Sequence, residues 1–171
     1  MLDYKTLRTV FGYCRSMIEK QMGFSFKRSS VSAIYNFHQT DIGLKTSGQP
    51  TEKQFDAIQE DGVKIVVNLA PSSTENSLKD ERKLVEGLGM TYVHIPVDFS
   101  RPALTDFEKF VDIVERHAYS DLWVHCAANM RVSAFVYRYR VFVLNHKRSD
   151  AIKDLNEIWK PFGAWKQFLD L

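Results

Sequence analysis

Cysteine is scarce in this chain of 171 residues: there are two, Cys14 and Cys126. Two thiols cannot build a disulfide framework, and such sparing use fits a reducing compartment, so the sequence reads as cytoplasmic. No cysteine or histidine pair stands at zinc-ligand spacing, so neither a metal nor another cofactor is expected. Apolar runs are short, and none approaches the ~20 residues needed to span a bilayer. The amino-terminal "MLDYKTLRTVFGYC" sets charges among its apolar residues and lacks the uninterrupted apolar core of a signal peptide. Charge of one sign is not in excess either. The formal net charge is +2, which gives no reason to expect nucleic acid or an anionic membrane as partner.

What is present suits one globular domain: hydrophobic residues make up 44% and charged residues 26%. Residues 1–30 read as a helical extension and 31–171 as the core of the domain. Leu7, Val10, Phe11, Cys14, Met17 and Ile18 recur at helical spacing, which predicts an amphipathic helix packed on the core through that face. A helix lying on a membrane surface is the sharper reading of the same pattern. "GFSFKRSS" then breaks it.

From Val31 the signals alternate. "SAIYNF" reads as a strand and "TSGQP" as a turn before a helix, with Thr51 and Gln54 as its capping box and Gly62 as its stop. "KIVVNLA" is a buried strand, "NSLKDERKLVEGLG" a helix, and "MTYVHIPV" another strand. Thr105 with Glu108 suggests a second capping box, opening a helix that runs to about His117. "DLWVH" is a short strand, and "VSAFVYRYRVFVL" a helix apolar on most sides, as a central helix would be. Pro161 splits a last helical pair. Strands alternating with helices predict an α/β fold, a mostly parallel sheet flanked by helices on both faces, with the extra amino-terminal helix beside it. Ligands of such sheets bind beyond the carboxyl ends of the strands. Cys126 and Asp98 both stand at such ends.

The stretch "WVHCAANMRVSAF" carries the chemistry. A strand, a short loop and a helix start bring backbone N–H groups together at a positive dipole end, where an anion or a thiolate is stabilised. Arg131 offers a planar fork for two oxygens of a phosphate. Ser133 is placed to donate a hydrogen bond to the thiolate. Singly, each residue has a plain structural explanation: a core cysteine, a solvated arginine, a filler serine, a packed His125. At one strand–loop–helix junction they point together to a site.

"VHCAANMRVS" resembles the signature loop of the cysteine-dependent protein tyrosine phosphatase superfamily, in which His and Cys precede an Arg followed by Ser or Thr. Four residues separate Cys126 from Arg131 where the usual loop has five, which looks like a small bacterial branch of phosphatase-like domains. "SGQPTEKQFDAIQEDGVKIVVNLA" and "HIPVD" suggest the same branch, and the resemblance covers roughly residues 33 to 145. It implies a phosphatase-like fold and a phosphomonoesterase of the tyrosine or dual-specificity type acting through a phosphocysteine. Cys126 would be the nucleophile, Arg131 the phosphate-binding arginine and Ser133 the hydroxyl that eases thiolate departure. Ala127, Ala128, Asn129 and Met130 would supply loop amides, and a phosphorylated protein or small phosphate ester would be the substrate.

Asp98, in "IPVDFSRP", is the candidate general acid; its plainer reading is a turn residue before Pro102. Asp106 competes from the start of a helix, and Arg101 could attract an anion from the rim. Cys14 as a resolving thiol is weighed against core packing, which explains it. Two rival functions remain: a rhodanese-like sulfurtransferase, which needs no general acid, and a non-catalytic phosphate-binding module. The loop contains no glycine, although phosphate loops bend sharply. Asn tolerates positive φ next best, so Asn129 is expected to take the bend.

Overall fold

The computed structural model describes residues 3–22 and 30–171. Its sheet has five strands: β1 (His38–Gln39), β2 (Lys45–Ser47), β3 (Ile65–Asn68), β4 (Thr91–His94) and β5 (Leu122–His125). Their spatial order is β1-β2-β5-β3-β4, with β1 antiparallel at one edge and the other four parallel. The two central strands, β3 and β5, are buried along their whole length, as continuous apolar runs in parallel sheets are.

Alternation along these strands divides the core in two. Ile65, Val67, Leu122 and Val124 turn to one face, against helices α4 (Leu104–Arg116), α5 (Met130–Phe142), α6 (Arg148–Ile158) and α7 (Ala164–Leu169). Val66 and Trp123 turn to the other, against Phe55 and Ile58 of α2 (Glu52–Glu60) and Val85 of α3 (Glu81–Gly87). One step further along β5, His125 continues the second face, edge-on to Phe55, and Cys126 joins the first. The central helix α5 buries Val132 to Tyr137 together with Tyr139 and Arg140.

Several local expectations meet the structure as written. The Thr51–Gln54 capping box opens α2, and Gly62 follows it at φ 85°. Others are corrected. The second capping box does not form: α4 starts two residues earlier, at Leu104, with Ala103 as its N-cap. "SAIYNF" is a 3₁₀ turn over Val31–Ala33 followed by a bend in which Asn36 takes φ 49°, a conformation no strand continues through. "NSLKDERKLVEGLG" yields a helix only from Glu81, because Asn76 and Ser77 are spent in a loop held by side-chain hydrogen bonds.

The largest correction concerns α1 (Tyr4–Met22). The helix exists, but it seats its small polar face: Thr6 and Thr9 are buried, while Leu7, Val10, Phe11 and Cys14 are exposed. Polar anchoring decides this. Thr9 Oγ1 donates to the carbonyl of Ile158, which the end of α6 leaves open, and Thr6 Oγ1 accepts the N–H of Lys160 just beyond it. Gly12 presents bare backbone to the Tyr35 ring, where a Cβ would lie 2.4 Å from the nearest ring carbon. Met17 is half-buried; the side chain of Ile18 and most of "GFSFKRSS" lie outside the described residues.

Tyr35 is clamped from its other side by Gly48, where a Cβ would meet the ring at 2.6 Å and the Ala127 carbonyl at 3.1 Å. Close approach of two chain segments is therefore bought by glycine opposite the loop rather than in it. Gly48→Ala is expected to destabilise the protein by about 1–3 kcal/mol through this overlap. Phe11→Ser, on the exposed side of α1, should stay within about 0.5 kcal/mol of wild type. Urea unfolding of the two variants checks both, and a large loss in the Phe11 variant would contradict the seating of α1.

Candidate active site

Cys126 directly follows β5 and α5 begins at Met130, so four residues, 126–129, make the whole connection. Asn129 is its hinge. It adopts φ 65°, ψ 1°, the left-handed conformation expected of it, and its amide Nδ2 donates to the Asn36 carbonyl (2.8 Å) and to Thr46 Oγ1 (3.0 Å). Glycine could supply the bend but not these two anchors. The residue is fully buried.

The loop carbonyls are taken up on the outside. Ala127 O accepts from the backbone N–H of Gln49 (3.2 Å) and from Asn76 Nδ2 (3.0 Å), and Ala128 O accepts from Asn36 Nδ2 (3.1 Å). No described group accepts the N–H of Ala127, Ala128, Met130 or Arg131. The geometry thus gathers unsatisfied donors at the start of a 13-residue helix, next to a cysteine that is itself wholly buried. That is an anion cradle.

Arg131 lies at the rim. Its Nε donates to the Val97 carbonyl (2.9 Å), and its guanidinium stacks 5.1 Å from the centre of the Phe99 ring. These two contacts orient the fork and leave its terminal nitrogens without a described acceptor. Tyr13 of α1 reaches the same rim and donates to Glu75 (3.5 Å). Burial, then Glu75, pushes the Tyr13 phenol up, and the Arg131 charge pulls it down, so these three groups share one neighbourhood. Burial raises the Tyr35 phenol strongly, with both Cys126 and Cys14 adding to the effect. Cys14 is exposed, so core packing does not account for it after all.

Two expected roles meet a different geometry. Ser133 Oγ donates to the Met130 carbonyl (3.1 Å) and accepts from the Trp159 indole N–H (3.2 Å), so its one proton serves the first turn of α5 rather than Cys126. Asp98 is exposed and turned back on its own loop, accepting from the Ser100 N–H (2.8 Å) and Oγ (2.7 Å). These bonds, with Ser100 Oγ the stronger, hold its carboxyl below the ordinary carboxylate value. Its backbone is nonetheless one residue from Val97, the carbonyl that receives Arg131. Asp106 sits in the first turn of α4, ion-paired with Lys109 (3.0 Å), and Arg101 is exposed on the loop.

Behind the loop lies a buried group that the sequence did not reveal. Glu81 accepts from Asn68 Nδ2 (2.8 Å) and from the Gln49 amide, and stands 3.2 Å from His125 Nε2. Its carboxyl falls to about 2: His125, Gln49 and Tyr92 more than offset the burial that would otherwise raise it. Asn68, a polar residue closing the apolar run "IVVN", was the available signal, since a buried amide needs a partner.

A wholly parallel core, a cysteine at the end of its central strand, outward-pinned loop carbonyls and an arginine opening the next helix define a cysteine-dependent phosphatase of the tyrosine and dual-specificity type. The sequence profile of the family described as DSP-PTPase phosphatase fused to NAD+ kinase matches residues 27–164, and the chain belongs to that family. A DUF442 protein of Shewanella putrefaciens CN-32, described as a candidate phosphatase, is 35% identical, with a TM-score of 0.71 over 82% of this chain and 92% of that one. The core catalytic domain of the PP-IP phosphatase SIW14 from S. cerevisiae shares the fold at 16% identity, with a TM-score of 0.66 over 81% and 85%. So does P. aeruginosa TpbA, solved in complex with pTyr, at 16% identity, with a TM-score of 0.58 over 76% of each chain. No curated protein matches the chain.

Two measurements probe the geometry itself. Asn129→Ala and Asn129→Gly both lose the amide anchors, but only alanine is strained at φ 65°. The alanine variant is expected to be less stable by about 1 kcal/mol in urea unfolding; equal stabilities would contradict the left-handed bend. Glu81 has a folded pKa lowered from 4.5 to about 2, so it stabilises the fold above its unfolded value and loses that contribution as pH falls between the two. Glu81→Gln should therefore flatten the decline of stability between about pH 5 and pH 2.

Proposed function

We propose that the protein is a cytoplasmic phosphomonoesterase acting on a phosphorylated protein or a small phosphate ester, with residues 31–171 as its catalytic unit. The observation that carries this reading is the loop itself: four N–H groups with no acceptor among the described residues, beside Cys126, with the Arg131 fork held by Val97 and Phe99. Equatorial oxygens of a phosphoryl group would be held by the amides of Ala127, Ala128, Met130 and Arg131 and by the Arg131 guanidinium, with Asn129 making the bend. In-line attack by the Cys126 thiolate forms the S–P bond as the ester oxygen leaves, and water then releases phosphate from the phosphocysteine. Charge developing on the equatorial oxygens meets donors already in place, so no metal is needed for it. Proteins of this fold are described as a complex with pTyr and as a PP-IP phosphatase, which supports either substrate class.

Protonation of the leaving oxygen falls to Asp98 in this reading. Its present bonds to Ser100 favour the carboxylate, so it serves as an acid only after leaving that turn. Ser133 contributes by holding the Met130 carbonyl and with it the helix start. A module that binds phosphate without turnover is favoured by the same Asp98 geometry, and one set of assays separates the two.

Cys126→Ser should abolish hydrolysis of an aryl phosphate while leaving vanadate binding measurable, since a hydroxyl is a far weaker nucleophile. Asp98→Ala should lower kcat about 10²–10⁴-fold on an alkyl phosphate and far less on an aryl phosphate whose phenol leaves unaided. Equal losses on both substrates would remove Asp98 from the mechanism. Vanadate binding with no hydrolysis by wild type would establish the binding module instead.

A further inference from the structure

Seated through Thr6, Thr9 and Gly12, α1 turns its apolar side chains outward. Tyr4, Leu7, Phe11 and Cys14 recur at three- and four-residue steps along one exposed stripe, and Val10 flanks it. Tyr4 and Phe11 are each 79% exposed. Of the eight large apolar side chains exposed among the described residues, four stand on this one helix. Single exposed apolar residues are ordinary, whereas a contiguous stripe marks a contact surface. Arg8 and Arg15, both exposed, run along one border of the stripe, and no acid occurs between Tyr4 and Ile18. Two acids near the amino-terminal end of the helix are engaged: Asp3 accepts from Thr6 Oγ1 (2.7 Å), and Glu157 pairs with Lys5 (2.8 Å). Glu75 meets Tyr13, on the seated side.

We propose that this face of α1 docks on an anionic lipid surface, with the helix in the plane of the headgroups and Tyr4, Leu7 and Phe11 against the acyl chains. A stripe of aromatic and aliphatic side chains bordered by cations is the pattern of an interfacial helix. No helix among the described residues is long and apolar enough to cross a membrane, so the contact is with its surface. The formal charge of +2 gives no sign of this, because the asymmetry is local to one helix face. A second copy of the chain fits the stripe less well. Two-fold pairing would set the two copies' Arg8 and Arg15 against one another, like charges opposed. A stripe of five side chains also falls well short of the roughly 20–30 residues a side that a stable interface uses. Tyr13 of the same helix stands at the Arg131 rim, so docking holds the candidate site beside the lipid. Docking of this face does not depend on the reading of Cys126 as a nucleophile.

The test is flotation of the full chain with vesicles of phosphatidylcholine and phosphatidylglycerol in equal parts, against vesicles of phosphatidylcholine alone. Wild type should float with the mixed vesicles and far less with the neutral ones, and added salt should weaken the binding. Phe11→Ser should lower partitioning about tenfold through lost apolar burial. Arg8→Gln combined with Arg15→Gln should lower it by about tenfold or more. Absence of wild-type binding, equal binding to both vesicles, or partitioning that ignores Phe11→Ser would each overturn the proposal. A concentration-dependent dimer in sedimentation velocity, lost in Phe11→Ser, would assign the stripe to a second copy instead. Should the Phe11 variant fail to fold, the exposed Cys14 decides. With Cys126→Ser as background, a polarity-sensitive dye on Cys14 should shift to the blue on mixed vesicles, and an unmoved spectrum contradicts docking.

Discussion

Everything at this site depends on where three carbonyl-directed hydrogen bonds go. A backbone loop can bind an anion only if its N–H groups turn inward, and then its carbonyls must be satisfied elsewhere. Here Asn36, Gln49 and Asn76 meet that demand at Ala127 and Ala128, from three separate segments of the chain. The preorganisation of the cradle is thus a property of its surroundings. The loop sequence supplies a cysteine, an arginine and one residue able to bend.

The sheet assigns its two faces different work. On the face of Cys126 stand α5, whose first turn carries open N–H groups, and an aromatic cluster in which Phe99, Trp159 and Trp165 pack with centroids 5.5–6.0 Å apart. Phe99 in turn carries the Arg131 guanidinium. The other face holds the polar knot of Glu81, Asn68, Gln49 and His125 against α2 and α3. A single step along β5 separates the two, so chemistry and its support are neighbours in sequence and opposed in space.

Much of this was legible beforehand for one reason: the chain's strongest patterns lie along its central elements. Apolar runs gave β3 and β5, the all-round apolar helix gave α5, and the Cys126–Arg131 junction followed from their adjacency. The failures share a cause as well. For α1, apolar periodicity marked a stripe, but burial followed hydrogen-bonding need at the end of α6, so Thr6 and Thr9 went inside. Glu81 reads in sequence as an ordinary first-turn acid; only the sheet brings Asn68 and His125 to it. Asp98 and Ser133 have side chains bonded to Ser100 and to the Met130 carbonyl, two and three residues away, and such local bonds leave no periodic trace.

Because the carbonyl anchors come from residues 36, 49 and 76 while the loop spans 126–130, the cradle cannot be assembled from any local piece of chain. Parallel pairing of β5 with both β2 and β3 must be in place first, and long-range pairings of this kind are the slow part of folding. The anchored loop therefore belongs to the completed topology and to no smaller part of it. A partly folded chain would carry Cys126 without the anchors that shape the loop around it. The active site is, in this sense, a checkpoint for the completed topology.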